Sequence, residues 1–266
     1  MLVSDDALSA EAIAAAVGDR TFGRPVHYWP AIGSTNDELE RLAEAGVPEG
    51  TLAIADEQLA GRGRLERVWL APPRSSLLMS LLFRPTFLPP QRLAQLTMIC
   101  ALAAADAVTA ATGLPIDLKW PNDLQHRGKK LAGILTELGF DADLRPAWAV
   151  VGVGLNVNLD PADLAGLADT ATSLSQALGH PLPRLPLLAA YLANVEARYA
   201  ALRRGQGAER EWAARVATLG RAVTIATPDG DFHGVAEAVD ETGALHVRGD
   251  DGRVRRFLAG DVTVRQ

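Results

Sequence analysis

The chain has 266 residues, with 26 basic against 32 acidic side chains and a net charge of −6. That length gives room for one or two domains with a real core, and the acidic balance argues against a protein whose main work is gripping nucleic acid, since phosphate neutralisation needs a basic face. With 48% apolar and 22% charged residues the composition is that of an ordinary globular protein and argues against disorder and coiled coil.

The N-terminal stretch from Met1 to Gly18 carries Asp5, Asp6 and Glu11 and lacks the basic start and continuous apolar run of a secretion signal. A short helix is expected over residues 9–17. The segment from Gly33 to Gly46 predicts a helix with a capping box, Thr35 with Glu38 three residues on, and a terminating glycine. Residues 91–111 have helical spacing and end at Gly113-Leu-Pro115. Within them the longest nearly apolar run, Leu96 to Ala105, is about half the ~20 residues a membrane span needs. Cys100 lies in this run as the only cysteine, which excludes an internal disulfide and points to a reducing compartment, the cytoplasm.

Short apolar runs at 116–120, 131–138 and 147–157 are broken by His126-Arg-Gly-Lys129 and Asp141-Ala-Asp-Leu-Arg-Pro146. Connections this short cannot hold crossover helices, so these strands run antiparallel. Residues 159–186 read as a loop-rich connector with a short helix at 173–178, followed by helices at 185–203 and 207–218. From Gly220 onward, 221–226, 232–239, 244–248, 253–258 and 261–265 alternate as strands. They are separated by Pro228-Asp-Gly230, Glu241-Thr-Gly243, Gly249-Asp-Asp-Gly252 and Ala259-Gly-Asp261, a texture that predicts a small barrel. The expected fold class is therefore α+β: a mixed, largely antiparallel sheet with flanking helices in residues 1–218, and a β-barrel in 219–266.

The most unusual stretch runs from Gln58 to Trp69, whose last nine positions hold Gly61, Arg62, Gly63, Arg64, Arg67 and Trp69. Glycines let a backbone approach a ligand and move, and arginines offer planar forks to carboxylate and phosphate. Taken alone, the stretch reads equally as a solvated basic loop with a core tryptophan. A dinucleotide fingerprint fails because Glu66 stands where a third glycine is needed, and a Walker loop ending at Lys130 fails at Asp123. Lys119-Trp-Pro-Asn-Asp123 and Lys129-Lys130 are brought together by a hairpin, although Pro121-Asn-Asp is also a plain turn signal. Ser34 and Thr35 are helix caps that also present oriented donors. The five histidines have no metal-ligand spacing and read as structural or surface groups.

Taken together and in this order, Gly33-Ser-Thr-Asn36, Gln58-x-x-Gly-Arg-Gly-Arg64, Lys119-Trp-Pro-Asn-Asp-Leu124, Lys130-Leu-Ala-Gly-Ile-Leu135 and Gly152-Val-Gly-Leu-Asn156 resemble the biotin-protein ligases. The likeness spans roughly residues 28–266, and Arg255-Arg-Phe257 with Gly260-Asp-Val262 is similar to that family's SH3-like C-terminal barrel. The resemblance implies a class II synthetase-like catalytic fold and a two-step reaction, in which biotin and ATP give biotinyl-AMP and a carrier-protein lysine then takes the biotin as an amide. It implies that Ser34, Thr35, Asn36, Gln58, Arg62, Gly63 and Gly133 bind biotin, with Arg64 and Lys130 both binding it and acting in catalysis. It further implies that Gly61, Trp69, Lys119, Asn122 and Asn156 bind ATP and that Asp123 orients Mg²⁺ or the incoming amine.

The partner implied is the biotin carboxyl carrier protein of acetyl-CoA carboxylase or a related carboxylase, with no nucleic acid, no membrane and a possible pairing into homodimers. About 27 residues precede the stretch of likeness, so a short form without the helix-turn-helix of some members is expected. The chain departs from the family's usual Gly-Arg-Gly-Arg-x-Gly-Arg at Glu66. Two alternatives are a lipoate ligase and a biotin-binding sensor without turnover.

Overall fold

The computed structural model describes residues 6–164, 166–227, 230–258 and 260–265; the side chains of Glu66 and Asp163 lie outside it, as do Asp5 and the turn residues Pro228, Asp229 and Ala259. In chain order the first part comprises α1 (Ala10–Val17), β1 (Val26–Trp29), α2 (Thr35–Glu44), β2 (Leu52–Ala55), β3 (Ser76–Phe83), α3 (Ala94–Thr112), β4 (Asp117–Lys119), β5 (Asp123–His126), β6 (Lys129–Phe140) and β7 (Pro146–Asn156). Next come α4 (Leu174–Leu178), α5 (Arg184–Arg203) and α6 (Glu209–Ala214), then β8 (Ala222–Thr227), β9 (Gly230–Val239), β10 (Leu245–Gly249), β11 (Val254–Phe257) and β12 (Asp261–Val264).

The first seven strands form one sheet in the order β1-β2-β3-β7-β6-β5-β4. Among the described strands β1 and β2 alone pair parallel, their connection containing a helix, α2, long enough to carry the chain back to the same end. All other neighbours are antiparallel. Strand β5 departs from the sequence reading, which takes His126-Arg-Gly-Lys129 as a break. Arg127 and Gly128 both have positive φ, 50° and 77°, which makes them a two-residue hairpin turn with strand on either side.

Alternate residues of β3 face opposite layers, as strand geometry requires. Leu77, Met79, Leu81 and Phe83 join the large core under α1, α3 and α5, whereas Leu82 joins a small cluster with Leu39 and Ala43 of α2, Ala53 and Val150. So α2 covers only part of its face of the sheet. The rest of that face is where the candidate site lies.

Helix α3 is mostly apolar and mostly buried, with Asp106 and the C-terminal turn reaching the surface. With the turn before it, Pro90–Thr112 is long and apolar enough to cross a membrane, unlike the ten-residue run read from sequence, but 72% of its most apolar window is buried inside the protein. Its packing is that of a core helix. The first turn of α5 buries Arg184 completely, between Asp6 (Nε to Oδ2, 2.7 Å) and Asp56 (Nη1 to Oδ1, 2.6 Å). A third bond goes from its Nη1 to Ser76 O at 3.1 Å. This node ties the N-terminal segment to the end of β2 and the start of β3.

Helix α6 is shorter than the predicted 207–218, because the backbone beyond it is recruited elsewhere: Leu118 N donates to Arg215 O and Ala217 N to Leu118 O, both at 2.9 Å. The last five strands form a second antiparallel sheet, ordered β11-β10-β9-β8-β12. The sequence predicts a barrel here, but among the described residues no ladder joins β11 to β12, so the barrel is not closed. These two strands have four residues each and stand at opposite edges. The inner residues Val223, Ile225, Ala236, Leu245 and Val247 merge with the main core, and Trp120 Nε1 donates to Gly243 O at 2.9 Å.

Candidate active site

Three glycines clear one patch of the large sheet. Gly133 and Gly154 are register partners on β6 and β7, and Gly152 pairs with Leu135 and Ser80. A Cβ at Gly154 would lie 2.5 Å from Trp69 Cε2, one at Gly133 2.9 Å from Trp69 Cζ3, and one at Gly152 2.2 Å from Asn36 Oδ1. The indole and the carboxamide therefore rest on bare backbone, where any larger residue would displace them.

Around this floor is a cavity of about 280 Å³. Ser34, Thr35, Asn36, Gln58, Arg62, Gly63, Arg64, Trp69, Lys119, Asn122, Asp123, Lys130, Gly133 and Asn156 all line it. Gly61 is the one predicted site residue that does not. It sits at the base of the loop, its carbonyl accepting from Trp69 N at 2.9 Å, and a Cβ there would meet Trp69 O at 2.6 Å.

One end of the cavity is polar and neutral. Ser34 is the N-cap of α2, its hydroxyl accepting from Asp37 N at 3.5 Å, so Thr35 is released from the capping role the sequence predicts. Instead Thr35 N and Oγ1 both donate to Gln58 Oε1, at 2.8 and 3.0 Å. Ser80 Oγ donates to Asn36 Oδ1 at 2.6 Å and lies 2.8 Å from Thr35 Oγ1. Asn36 Nδ2 donates to Glu137 Oε2 at 2.6 Å. Side chains fixed by this many bonds are held ready for a ligand.

The other end is cationic. Lys130 Nζ lies 2.7 Å from Asp123 Oδ1 and 5.5 Å from the centroid of the Trp69 ring. Burial pulls the Arg64 guanidinium below its ordinary value, against the opposing pull of Asp123 and Asp261. Asn122 accepts from Arg64 at 3.5 Å. Asn156 donates to Thr172 O at 3.0 Å, while its Oδ1 is buried with no partner. Trp69 Nε1 is likewise buried without a partner. Both lie in the wall of the cavity, where a bound ligand could satisfy them.

The Gly/Arg loop closes over the cavity as a small hairpin, with Gly63 N donating to Arg67 O at 2.6 Å. Its arginines reach in three directions: Arg62 to Asp37 and Glu137, Arg64 to Asn122, and Arg67 to Asp261 of β12. Bonding from Arg67 holds the Asp261 carboxyl below its usual value, and Lys119 and Arg64 act in the same direction. Beside Arg62, the Glu40 carboxyl is pushed up to about 7, first by burial and then by its neighbour Glu137.

Sequence reasoning took Gly152-Val-Gly154 as a motif without giving its glycines a place in the site, although two glycines spaced by two on a strand clear a single face. It missed Ser80 and Glu137, and it read Gly260 and Asp261 as part of the C-terminal module alone. Ser80 and Asp261 reach the site only through the fold.

Residues 28–156 match the biotin/lipoate A/B protein ligase family, and 218–265 match the biotin protein ligase C terminal domain. The bifunctional ligase/repressor BirA of Bacillus subtilis is 35% identical over 258 residues, covering 96% of this chain and 78% of its own length. The biotin--[acetyl-CoA-carboxylase] ligase of Mycobacterium tuberculosis is 36% identical over 237 residues, covering 86% of this chain and 85% of its own. Among solved structures, biotin protein ligase from Aquifex aeolicus in complex with biotin and ATP superposes with a TM-score of 0.76. It is 28% identical and covers 91% of this chain and 99% of that one.

Proposed function

The chain belongs to the biotin protein ligase family, and we propose that it uses ATP to activate biotin as biotinyl-5′-AMP and then transfers biotin to a lysine of a biotin carboxyl carrier protein. The observation that carries this reading is one cavity with two chemically distinct ends, neutral hydrogen-bonding groups at one and Arg64, Lys119 and Lys130 at the other. Biotin's ureido ring presents two N–H donors and a carbonyl, which suit Ser34, Thr35, Asn36 and Gln58. The dithiolane ring of lipoate has no such groups and would leave those side chains unpaired, which disfavours it as substrate. A sensor without turnover has no need of three cations at the far end.

In the first step a biotin carboxylate oxygen bonds to the α-phosphorus of ATP and pyrophosphate leaves. Two anions must meet, so fixed cations that stabilise the gathering charge lower the barrier. Lys130 and Arg64 supply that charge, Lys119 steadies the phosphates, and Trp69 packs on the adenine. Asn122 and the unpartnered Asn156 Oδ1 bind the nucleotide, and Gly61 lets the loop turn tightly against Trp69.

Asp123 would offer a magnesium ion one hard carboxylate oxygen, and the ion would supply further charge neutralisation to the phosphates. Asp123 is shared with Lys130, so the phosphates themselves would be the larger part of its ligand set. In the second step the carrier's neutral amine bonds to the acyl carbon, AMP leaves and the amide loses a proton. Asp123 is the carboxylate that orients this amine. The loop over the site keeps water from a mixed anhydride that hydrolyses easily.

A net charge of −6 supports a reading without a nucleic-acid or membrane partner, and the buried free thiol of Cys100 is in keeping with a cytoplasmic location. Pyrophosphate release by the purified protein with ATP and Mg²⁺ tests the reading, comparing biotin with lipoate. Release with biotin alone is expected; release with lipoate alone, or with neither, contradicts it.

A further inference from the structure

We propose that Glu137 is a positioning residue that couples the wall of the biotin pocket to the loop above it, holding Asn36 and Arg62 with one carboxylate. The proposal rests on the ligase reading above. Gly133, Leu135 and Glu137 alternate along β6, so they share the face that forms the floor. Glu137 is the residue where that row passes out from under the cavity, and it does not line the cavity itself.

Its Oε2 accepts from Asn36 Nδ2 at 2.6 Å, and Asn36 is 4% exposed. Its Oε1 lies 2.8 Å from Arg62 Nη2, with Oε2 at 3.1 Å from the same nitrogen. One rigid strand residue therefore touches a fixed ligand-binding side chain on α2 and the first arginine of the closing loop. Asp37 gives Arg62 a second carboxylate, and Glu40 stands further off at 3.8 Å.

The two ties differ in chemistry. The Asn36 amide needs an acceptor, which a neutral amide oxygen can also be. The Arg62 guanidinium needs a charge. A glutamate satisfies both at once, so biotin seated against Asn36 meets a loop already registered to the same carboxylate. A solvated surface acid, the bland reading of Glu137, does not explain why its closest bond goes to an almost wholly buried side chain.

The experiment is a release assay on the full-length enzyme loaded with biotin and ATP, following free biotinyl-AMP after a chase. Glu137→Gln keeps the Asn36 bond and loses the charge on Arg62. Release of biotinyl-AMP should then quicken about fivefold, the scale of a partly exposed ion pair, with KM for biotin unchanged. Glu137→Ala loses both ties and should raise KM for biotin about tenfold as well. In an Arg62→Ala background, Glu137→Gln should add nothing further.

Release unchanged by Glu137→Gln, or raised equally in both backgrounds, overturns the coupling, since a merely structural role would be blind to Arg62. If Glu137→Ala fails to fold, the cycle with glutamine decides alone. A wild-type enzyme that forms no biotinyl-AMP sinks the ligase reading and this proposal with it, and is distinguishable from both other failures.

Discussion

The Lys130 ammonium lies 2.7 Å from the Asp123 carboxylate, across the hairpin of β5 and β6. This pairing lets a cation wait inside a cavity without an uncompensated charge, and an arriving phosphate can take over the partner's place. Replacing Lys130 by alanine removes the charge that must face two anions in the first step. Pyrophosphate release should fall by at least about a hundredfold, the scale seen when one stabilising donor is lost. Asp123→Asn should slow amide transfer to the carrier more than it slows pyrophosphate release, measured by single-turnover mixing of preformed biotinyl-AMP enzyme with carrier.

The glycine floor makes a steric prediction. A methyl group at residue 152 would lie 2.2 Å from Asn36 Oδ1, and Asn36 cannot swing aside freely because Ser80 and Glu137 both hold it. Gly152→Ala should weaken biotin binding by about 1–3 kcal/mol, the usual cost of overpacking, in calorimetric titration. Unchanged affinity would mean that Asn36 does not bear on the ligand.

Buried Arg184 makes a stability prediction away from the cavity. Arg184→Met would leave Asp6 and Asp56, each 11% exposed at the side chain, facing a site without its cation. Breaking a buried pair by removing one member costs about 3–5 kcal/mol. For a chain of this size the melting temperature should drop by about 10 °C. A drop of a degree or two would show that the node is not structural.

Glu40 gives a pH prediction. Its folded pKa, about 7, stands above the ordinary 4.5, because burial and Glu137 disfavour the charged form, and Asp37 adds to them while Arg62 opposes them. A raised carboxyl stabilises the fold fully below its unfolded value, and that contribution is lost as pH rises through about 7. The wild-type melting temperature should therefore fall between pH 5 and pH 8 relative to that of Glu40→Gln. Parallel pH curves for the two proteins would remove the basis for the shift.

Much of this architecture was legible in the residues because it is local. Connections too short for a crossover dictated antiparallel pairing, and Gly46 and Gly113 closed their helices as expected, whereas α6 stops at Ala214, six residues before Gly220. Strands β1, β2 and β3 were not legible, because each is a short or continuous apolar run with no alternation. β3 is buried at every position, and a strand covered on both faces has no polar stripe to announce it. The capping box at Thr35 failed for a functional reason: its hydroxyl is spent on Gln58, and Ser34 caps instead.

The site divides in the same way. Residues carried by contiguous motifs, such as Arg62-Gly-Arg64 and Lys119 to Asp123, could be found by inspection. Ser80 and Glu137 could not, nor could the place of Asp261 in this site, since only sheet register and the docking of the second sheet bring them near. Asp261 meets Arg67 across nearly two hundred residues of chain.

The central claim is that biotin activated in this cavity ends on a carrier lysine. The most direct measurement is the intact mass of a purified biotin carboxyl carrier domain after incubation with the protein, biotin, ATP and Mg²⁺, with fragmentation to locate any addition. One biotinyl group on a single lysine, dependent on ATP and lost with Lys130→Ala, is the result predicted. A carrier of unchanged mass alongside a protein that still binds biotin would contradict it.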